Sequence, residues 1–227
     1  MTAQHNSAST ALAECCSTFI LVFAGTGAIV INTVSDGAVT HPGIALTFGL
    51  VVLAMIHTFG PISGAHMNPA VTLGLVAAGR FPARLIAIYL LSQFTGALLA
   101  SIVLRLLFPN HLTPGTTVPS GSSLQSFMLE LLLSWILMLV VLRLSENPSS
   151  GAQAGLVVGS VIALEAMFAG PVCGASMNPA RSLGPALISL KLQHIWIYLT
   201  APVLGALLAV PVNRIFHHSP TDSGASE

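Results

Sequence analysis

Six long apolar stretches constrain the fold of this chain more than any other feature. An α-helix needs roughly 20 residues to cross a hydrocarbon layer about 30 Å thick. Charged residues make up only 6% of the 227 residues and hydrophobic residues 54%, so most of the surface is expected to face lipid. Because backbone groups in lipid must bond to one another, each stretch is predicted to be a transmembrane helix. The stretches cover residues 11–33, 43–59, 85–108, 124–144, 155–169 and 195–216.

A fifteen-residue motif occurs twice. Residues 60–74 read GPISGAHMNPAVTLG and residues 170–184 read GPVCGASMNPARSLG, with ten of the fifteen positions identical at an offset of 110. Each copy lies between the second and third apolar stretch of its half. A unit of three spans inserts its second copy upside down, so the pattern predicts an inverted-topology repeat.

The polar loop 109–123 joins the two units. We expect one domain over residues 11–216, with repeat one at about 11–108 and repeat two at about 124–216. The polar ends, residues 1–10 and 217–227, are expected to be disordered tails.

Each motif is predicted to begin a short helix that enters the membrane without crossing it. Asn68 and Asn178 are preferred helix N-caps, and each precedes a proline, which suits the first helical position. The helices would run over residues 68–79 and 178–190, only about 18–20 Å long, with Pro185 expected to bend or shorten the second. Two such half-helices entering from opposite faces would meet at the midplane and line a cavity.

The capping asparagines suggest a chemistry for that meeting point. If each side-chain oxygen accepts a backbone N–H, each amide NH₂ is left to donate. An oxygen atom held by both donors cannot accept a proton from a neighbouring water, and the two helix N-termini repel cations. Arg181 follows Asn178 by three residues, whereas Val71 takes this position in the first copy. The arginine is therefore expected at one mouth of the pore only, as a functional residue.

These motifs together resemble the aquaporin family, also called the major intrinsic proteins, over about residues 11–216. The resemblance implies an all-α fold of six transmembrane helices and two re-entrant half-helices. It also implies a homotetramer with one pore per protomer and passive flow, without a cofactor, a metal or enzymatic activity. The two motif boxes that would line the pore are Asn68, Pro69 and Ala70, and Asn178, Pro179 and Ala180.

By the spacing of the family, the narrowest ring of the pore would consist of Phe48, Ala166, Ala175 and Arg181. Water-selective members usually carry histidine at the position of Ala166, so the opening here is expected to be wider and less polar. Ser182 departs from the aspartate of glycerol-conducting members. The pattern is most similar to nodulin-26-like and related bacterial channels. That similarity implies passage of water, glycerol and neutral metalloid hydroxides such as arsenous acid, with protons and ions excluded.

The resemblance also implies roles for three ionisable residues outside the ring. Glu14 and Glu130 hold matching places in the first spans of the two halves and would brace the re-entrant loops by accepting backbone N–H groups. His66, just before the first motif box, would be a pore histidine near the cytoplasmic side. His57 and Glu165 are expected to be buried, satisfied structural residues.

The expected surroundings of the chain are a lipid bilayer, water and small neutral solutes. A net charge of zero argues against a nucleic-acid partner. The expected location is the plasma membrane. Both termini are expected to be cytoplasmic, since the positive-inside rule then puts four arginines inside and two basic residues outside. The inside residues are Arg80, Arg84, Arg143 and Arg214, and the outside residues are Arg105 and Lys191.

Other readings of the pattern remain open at this point. One is a strictly water-selective channel. A second is a proton-coupled transporter, with Glu14, Glu130, Glu165 and His57 as relay groups. A non-conducting structural membrane protein is a third.

An intramembrane hydrolase is disfavoured, because Ser63 and His66 lack an accompanying carboxylate and oxyanion site. The three cysteines show neither a disulfide framework nor zinc spacing and are expected to be small packing residues.

Overall fold

Six long and two short α-helices make up the fold of the computed structural model, which describes residues 7–111, 113, 115–146 and 151–216. The six long helices are all long and apolar enough to cross a membrane, as predicted. They are α1 (Ser7–Val34), α2 (Thr40–Ser63), α4 (Ile86–Leu107), α5 (Ser123–Glu146), α6 (Gly151–Cys173) and α8 (Ile195–Ile215). The short helices are α3 (Pro69–Ala77) and α7 (Pro179–Ser189), and a single 3₁₀ turn, Ala83–Leu85, precedes α4.

The helix boundaries differ from the sequence prediction in several places. Residues 7–10 belong to α1 rather than to a disordered tail, and the last of them, Thr10, is buried. Residues 1–6 and 217–227, the remainder of both predicted tails, lie outside the described residues. Helix α6 extends four residues beyond the predicted stretch at each end, with Glu165 inside it. Pro185 does not shorten α7, which has 11 residues against 9 in α3.

The helices pack in two equivalent sets. Helix α1 lies along α4 in the first half as α5 lies along α8 in the second, while α2 and α6 pack together between the halves. Gly96 and Gly205 allow the two within-repeat contacts. A Cβ atom at Gly96 would lie 2.3 Å from the Cys15 carbonyl oxygen, and one at Gly205 would lie 2.2 Å from the Leu131 carbonyl oxygen. These contacts exclude any larger residue at either position.

Each half-helix packs against the third long helix of the opposite repeat. Helix α3 contacts α8, and α7 contacts α4, so the two repeats interlock through their short helices. Since each repeat carries three spans, the second has the reverse orientation in the membrane. The architecture is therefore the predicted inverted repeat, with the two half-helices meeting inside the molecule.

Large apolar side chains cover the outside of the long helices. Leu12, Leu50, Leu91 and Leu164 are each more than 60% exposed, and only 28–50% of each span is buried within the protomer. A surface of this kind is stable in hydrocarbon but not in water. The chain is accordingly a membrane protein.

Candidate functional site

Asn68 and Asn178 cap the half-helices in the predicted manner. Both adopt extended backbone conformations just before the proline that begins each helix. Asn68 Oδ1 accepts the N–H of Ala70 at 2.9 Å. Asn178 Oδ1 accepts the N–H of Ala180 at 3.0 Å and that of Arg181 at 3.2 Å. The side-chain oxygens are thereby occupied, and both amide nitrogens point away from their own helices as donors.

The two amides also join the repeats. Asn68 Nδ2 donates to the Met177 carbonyl at 2.7 Å, and Asn178 Nδ2 donates to the Met67 carbonyl at 2.8 Å. The sequence predicted amide groups held wholly for a passing molecule. Instead one hydrogen of each NH₂ locks the opposite loop, which leaves the second hydrogen of each amide for the pore.

The loops that precede the half-helices have strained backbones. Ala65, Met67, Ala175 and Met177 all have positive φ angles, between 41° and 53°, although none is glycine. Conformations of this kind cost on the order of 1–3 kcal/mol each and persist only where the surroundings impose them. The strain occurs at equivalent positions of both repeats, immediately before the capping asparagines.

Glu14 and Glu130 supply the bonds that hold these loops. Glu14 accepts the backbone N–H groups of His66 and Met67, both at 2.9 Å. Glu130 accepts those of Ser176 at 2.8 Å and Met177 at 2.7 Å. Both carboxyl groups are fully buried. Each lies on the first helix of its repeat, so the loop of each half-helix is braced from within its own repeat.

A cavity of about 390 Å³ runs past the two capping asparagines and the loops that precede them. Its lining includes all four residues of the predicted narrow ring, both capping asparagines and His66. The other lining side chains are mainly aliphatic and come from the long helices, for example Val52, Leu137 and Val158. One wall is therefore apolar, and the polar groups are concentrated in the re-entrant loops and at Arg181.

The ring places Arg181 beside an aromatic side chain. Its guanidinium carbon lies 5.2 Å from the centre of the Phe48 ring, within cation–π range. Its Nη1 donates to the Gly115 carbonyl at 2.7 Å, so the loop between the repeats also orients it. Ala166 and Ala175 also line the cavity and contribute only methyl groups.

The prolines and alanines of the motif boxes are placed differently from the asparagines. Pro69, Ala70, Pro179 and Ala180 are buried and are not among the residues that line the cavity. They sit in the first turns of α3 and α7 and pack those turns into the interior. Their contribution to a pore is therefore to fix where the asparagines lie.

Several contacts around the loops were not anticipated from the sequence. Tyr89 and Tyr198 donate to the carbonyls of Ser63 at 2.5 Å and Cys173 at 2.8 Å, at equivalent ends of α2 and α6. Gln93 on α4 donates to Glu14 at 2.8 Å. The two tyrosines are 109 residues apart, one short of the motif offset of 110, so the repeat alignment did not pair them.

His57 and Glu165 both differ from the prediction that they are buried residues with satisfied hydrogen bonds. His57 is exposed rather than buried, with Nδ1 2.9 Å from the Leu53 carbonyl. Glu165 is buried, 1% exposed, but neither carboxyl oxygen has a hydrogen-bond partner among the described residues. Cys173 is fully buried, and its Sγ accepts the backbone N–H of Ala175 at 3.4 Å, a contact that the expected packing role does not include. Within the described part of the chain, no group of three or more His, Cys, Asp or Glu side chains could hold a metal ion.

Comparison with known proteins agrees with this geometry. The family model for the major intrinsic proteins matches residues 1–212. Aquaporin NIP1-1 of Zea mays is 48% identical over 199 residues, which cover 86% of this chain and 70% of the relative. Nodulin-26 of Glycine max is 43% identical over 218 residues, covering 95% of this chain and 80% of the relative.

A solved structure has the same fold. The aquaglyceroporin from Plasmodium falciparum superposes with a TM-score of 0.85 at 25% identity, covering 93% of this chain and 98% of the other. Fold, motif geometry and sequence similarity all lead to one assignment. The chain belongs to the major intrinsic protein family, whose members are membrane channels and not enzymes.

Proposed function

We propose that this channel conducts water and small neutral solutes, among them glycerol and arsenous acid, and excludes protons and ions. The observation that carries the proposal is the composition of the cavity. A single passage brings together both capping amides, Arg181 and the methyl group of Ala166 on an otherwise largely apolar wall. Such a passage offers hydrogen bonds along one side only, which suits small molecules that carry hydroxyl groups.

Proton exclusion follows from the donor arrangement. A water molecule between Asn68 and Asn178 meets the remaining hydrogen of each amide, so both of its lone pairs can be engaged. A water in that state cannot accept a proton from the next water in the file. The N-termini of α3 and α7 and the buried guanidinium of Arg181 add positive potential, which opposes hydronium and metal cations.

The solute range rests on Ala166. An alanine at this position supplies neither bulk nor a hydrogen-bond donor, and the facing ring of Phe48 is apolar. The carbon backbone of glycerol can pack against these groups while its hydroxyls contact Arg181. Arsenous acid is a small neutral molecule with three hydroxyls and presents similar chemistry. The likeness to nodulin-26 and to an aquaglyceroporin supports a range wider than water alone.

The alternative of a proton-coupled transporter is less consistent with the contacts. Glu14 and Glu130 are engaged in bracing the loops, and neither is among the residues that line the cavity. Glu165 and His57 do not line it either. A relay would need at least one such group to face the transported species.

We further propose that the protein acts as a homotetramer in the plasma membrane with both termini cytoplasmic. The cavity is lined by residues of one protomer, which supports one pore per subunit. The bias of arginines toward the side of the termini supports the orientation. Native mass spectrometry in detergent would report the subunit number.

Stopped-flow light scattering on proteoliposomes tests the conduction proposal. We expect fast shrinkage in sucrose, which cannot enter, and fast re-swelling in glycerol. Shrinkage without re-swelling would instead identify a strictly water-selective channel. Rates equal to those of empty liposomes, with the protein verified as folded, would contradict conduction altogether. A pH-sensitive dye inside the same liposomes would detect any proton flux, which we expect to match the empty control.

A further inference from the structure

His66 lines the cavity with a ring that its neighbours hold in place. The ring centres of Phe81 and Tyr89 each lie 4.8 Å from that of His66. Packing on two sides leaves little freedom to rotate. Which nitrogen carries the proton is therefore a property that the surrounding hydrogen bonds can set.

The Thr72 hydroxyl contacts three polar groups. Gln93 Nε2 lies 3.0 Å from Thr72 Oγ1, the Asn68 carbonyl oxygen 3.1 Å, and His66 Nδ1 3.1 Å. The amide of Gln93 can only donate to this oxygen, and the carbonyl can only accept from it. The single hydroxyl hydrogen is thus used on the carbonyl, and the remaining lone pair requires a donor. That donor must be an N–H at His66 Nδ1.

Glu14 excludes the opposite arrangement. Gln93 Nε2 also donates to Glu14 Oε2 at 2.8 Å. Turning the Gln93 amide over would place its oxygen against this carboxylate, two acceptors facing each other. The direction of donation therefore runs from Gln93 to Thr72, and Glu14 fixes it.

We infer that Glu14, Gln93 and Thr72 hold His66 with its proton on Nδ1, so that Nε2 is a bare acceptor for the hydroxyl of a passing molecule. Nε2 has no hydrogen-bond partner among the described residues, and the ring borders the cavity. Gly64 lies beside it: a Cβ atom there would be 3.1 Å from Nε2, so any larger residue would crowd the acceptor. Gln93 and Thr72 are positioning residues, and the inference rests on the proposed conduction of hydroxyl-bearing molecules.

The second repeat contains the same kind of relay without a ring. At the offset of 110, His66 corresponds to Ser176 and Thr72 to Ser182. The hydroxyls of Ser176 and Ser182 lie 2.5 Å apart, and Thr117 donates to Ser182 at 2.8 Å. The imidazole acceptor thus belongs to repeat one alone, as the guanidinium donor belongs to repeat two alone. A solute that passes through the cavity therefore meets hydrogen-bond donors at Arg181 and a hydrogen-bond acceptor at His66 Nε2.

Nitrogen NMR of the protein in lipid bilayers, with ¹⁵N-labelled histidine, tests the tautomer directly. Bare and protonated ring nitrogens resonate far apart, and His66→Ala identifies the His66 signals by their loss. We expect a protonated Nδ1 and a bare Nε2 in the wild-type protein. A wild-type His66 with its proton on Nε2 would overturn the inference, whatever the transport result.

Variants of Thr72 test the relay. Thr72→Val removes the acceptor for Nδ1–H, so we expect the proton to move to Nε2, where cavity water can accept it. Thr72→Ser keeps the hydroxyl and should restore the wild-type signals. Thr200→Val is the matched control, since Thr200 also donates to the carbonyl four residues earlier but is exposed on α8. An unchanged His66 tautomer in Thr72→Val would contradict the relay.

The same variants give a transport readout. Loss of one acceptor is expected to lower glycerol flux by about 2- to 10-fold in Thr72→Val, with Thr72→Ser near wild type. An absence of glycerol flux in the wild-type protein would refute the proposed function, whereas the NMR result would still decide the tautomer. If Thr72→Val has a different His66 tautomer from the wild-type protein but the same glycerol flux, the claim that Nε2 accepts a hydrogen bond from the solute is overturned.

Discussion

The guanidinium carbon of Arg181 lies 5.2 Å from the centre of the Phe48 ring, and the two residues come from different repeats. Phe48 belongs to the second helix of repeat one, and Arg181 to the half-helix of repeat two. The proposed narrow ring of the pore therefore lies at an interface between the repeats. Its shape depends on how they dock, so substitutions in it should alter selectivity without removing either half of the fold.

Replacement of Arg181 tests the electrostatic part of this ring. Arg181→Val removes the buried positive charge and widens the passage, so we expect higher permeability to cations and to larger neutral solutes. A lowering of the cation barrier by about 1.4 kcal/mol would raise flux about tenfold. Ion currents in planar bilayers measure the cation flux. Arg214→Val is the control, because Arg214 is exposed at the end of α8. Equal selectivity in both variants would rule out the assigned role.

Replacement of Ala166 tests the steric part. Ala166→His adds a polar ring to the cavity lining, and we expect glycerol flux to fall by at least about tenfold relative to water flux, a barrier of about 1.4 kcal/mol. Re-swelling and shrinkage rates from the same liposomes provide the ratio. Ala38→His, in the exposed loop after α1, controls for the added histidine. If glycerol passage survives unchanged, Ala166 does not set the width of the pore.

Gly25 supports the position of the Phe48 ring. A Cβ atom at Gly25 would lie 2.2 Å from Phe48 Cε1, so Gly25→Ala must push the ring away from α1 and toward the cavity it lines. We expect lower water and glycerol flux with the fold retained. Gly60→Ala is the matched control, because the nearest atom to its added methyl group is 3.9 Å away. Normal flux in Gly25→Ala would show that the ring can move without narrowing the passage.

The bracing carboxylate of repeat one should matter for stability. Glu14 accepts hydrogen bonds from Ser63, His66, Met67 and Gln93. Glu14→Gln sets an NH₂ group against some of these donors. We expect the free energy of unfolding to fall by about 2–3 kcal/mol. Thermal unfolding in detergent measures it, with the exposed Asp36→Asn as the control. A melting temperature equal to that of the control would contradict the bracing role.

Replacement of Glu165 should raise the stability of the protein, whereas replacement of Glu14 should lower it. Its carboxyl group is buried and has no partner among the described residues, an arrangement that costs on the order of 1–3 kcal/mol. Glu165→Leu removes the polar atoms and is expected to raise the melting temperature. Glu165→Gln keeps a buried polar group of the same shape and should change it little. A lower stability of the leucine variant would mean that the carboxyl group makes a contact that the described residues do not include.

Local patterns in the sequence were sufficient for the element order and for the starts of the two half-helices. The length of an apolar run predicts a span, and Asn followed by Pro predicts a capped helix, since both depend on neighbouring residues only. The same reasoning placed Arg181 beside the passage, because a helical side chain leans toward its own N-terminus. It was less accurate at helix ends: residues 7–10 are helical, although only Thr10 of the four is buried.

What the sequence alone determined is thus the inverted repeat, the six spans, the two capped half-helices and the asymmetry of the arginine. Only the tertiary structure decided that Asn68 and Asn178 each bind the opposite loop and that Gln93 links Glu14 to Thr72. It also decided that Glu165 has no hydrogen-bond partner among the described residues. These contacts join residues far apart in the chain: 109 residues separate Asn68 from Met177, and 79 separate Glu14 from Gln93. No local pattern specifies which distant groups meet. The docking of one repeat on the other decides it, because most buried donors and acceptors need a partner and the docking sets which groups are within reach.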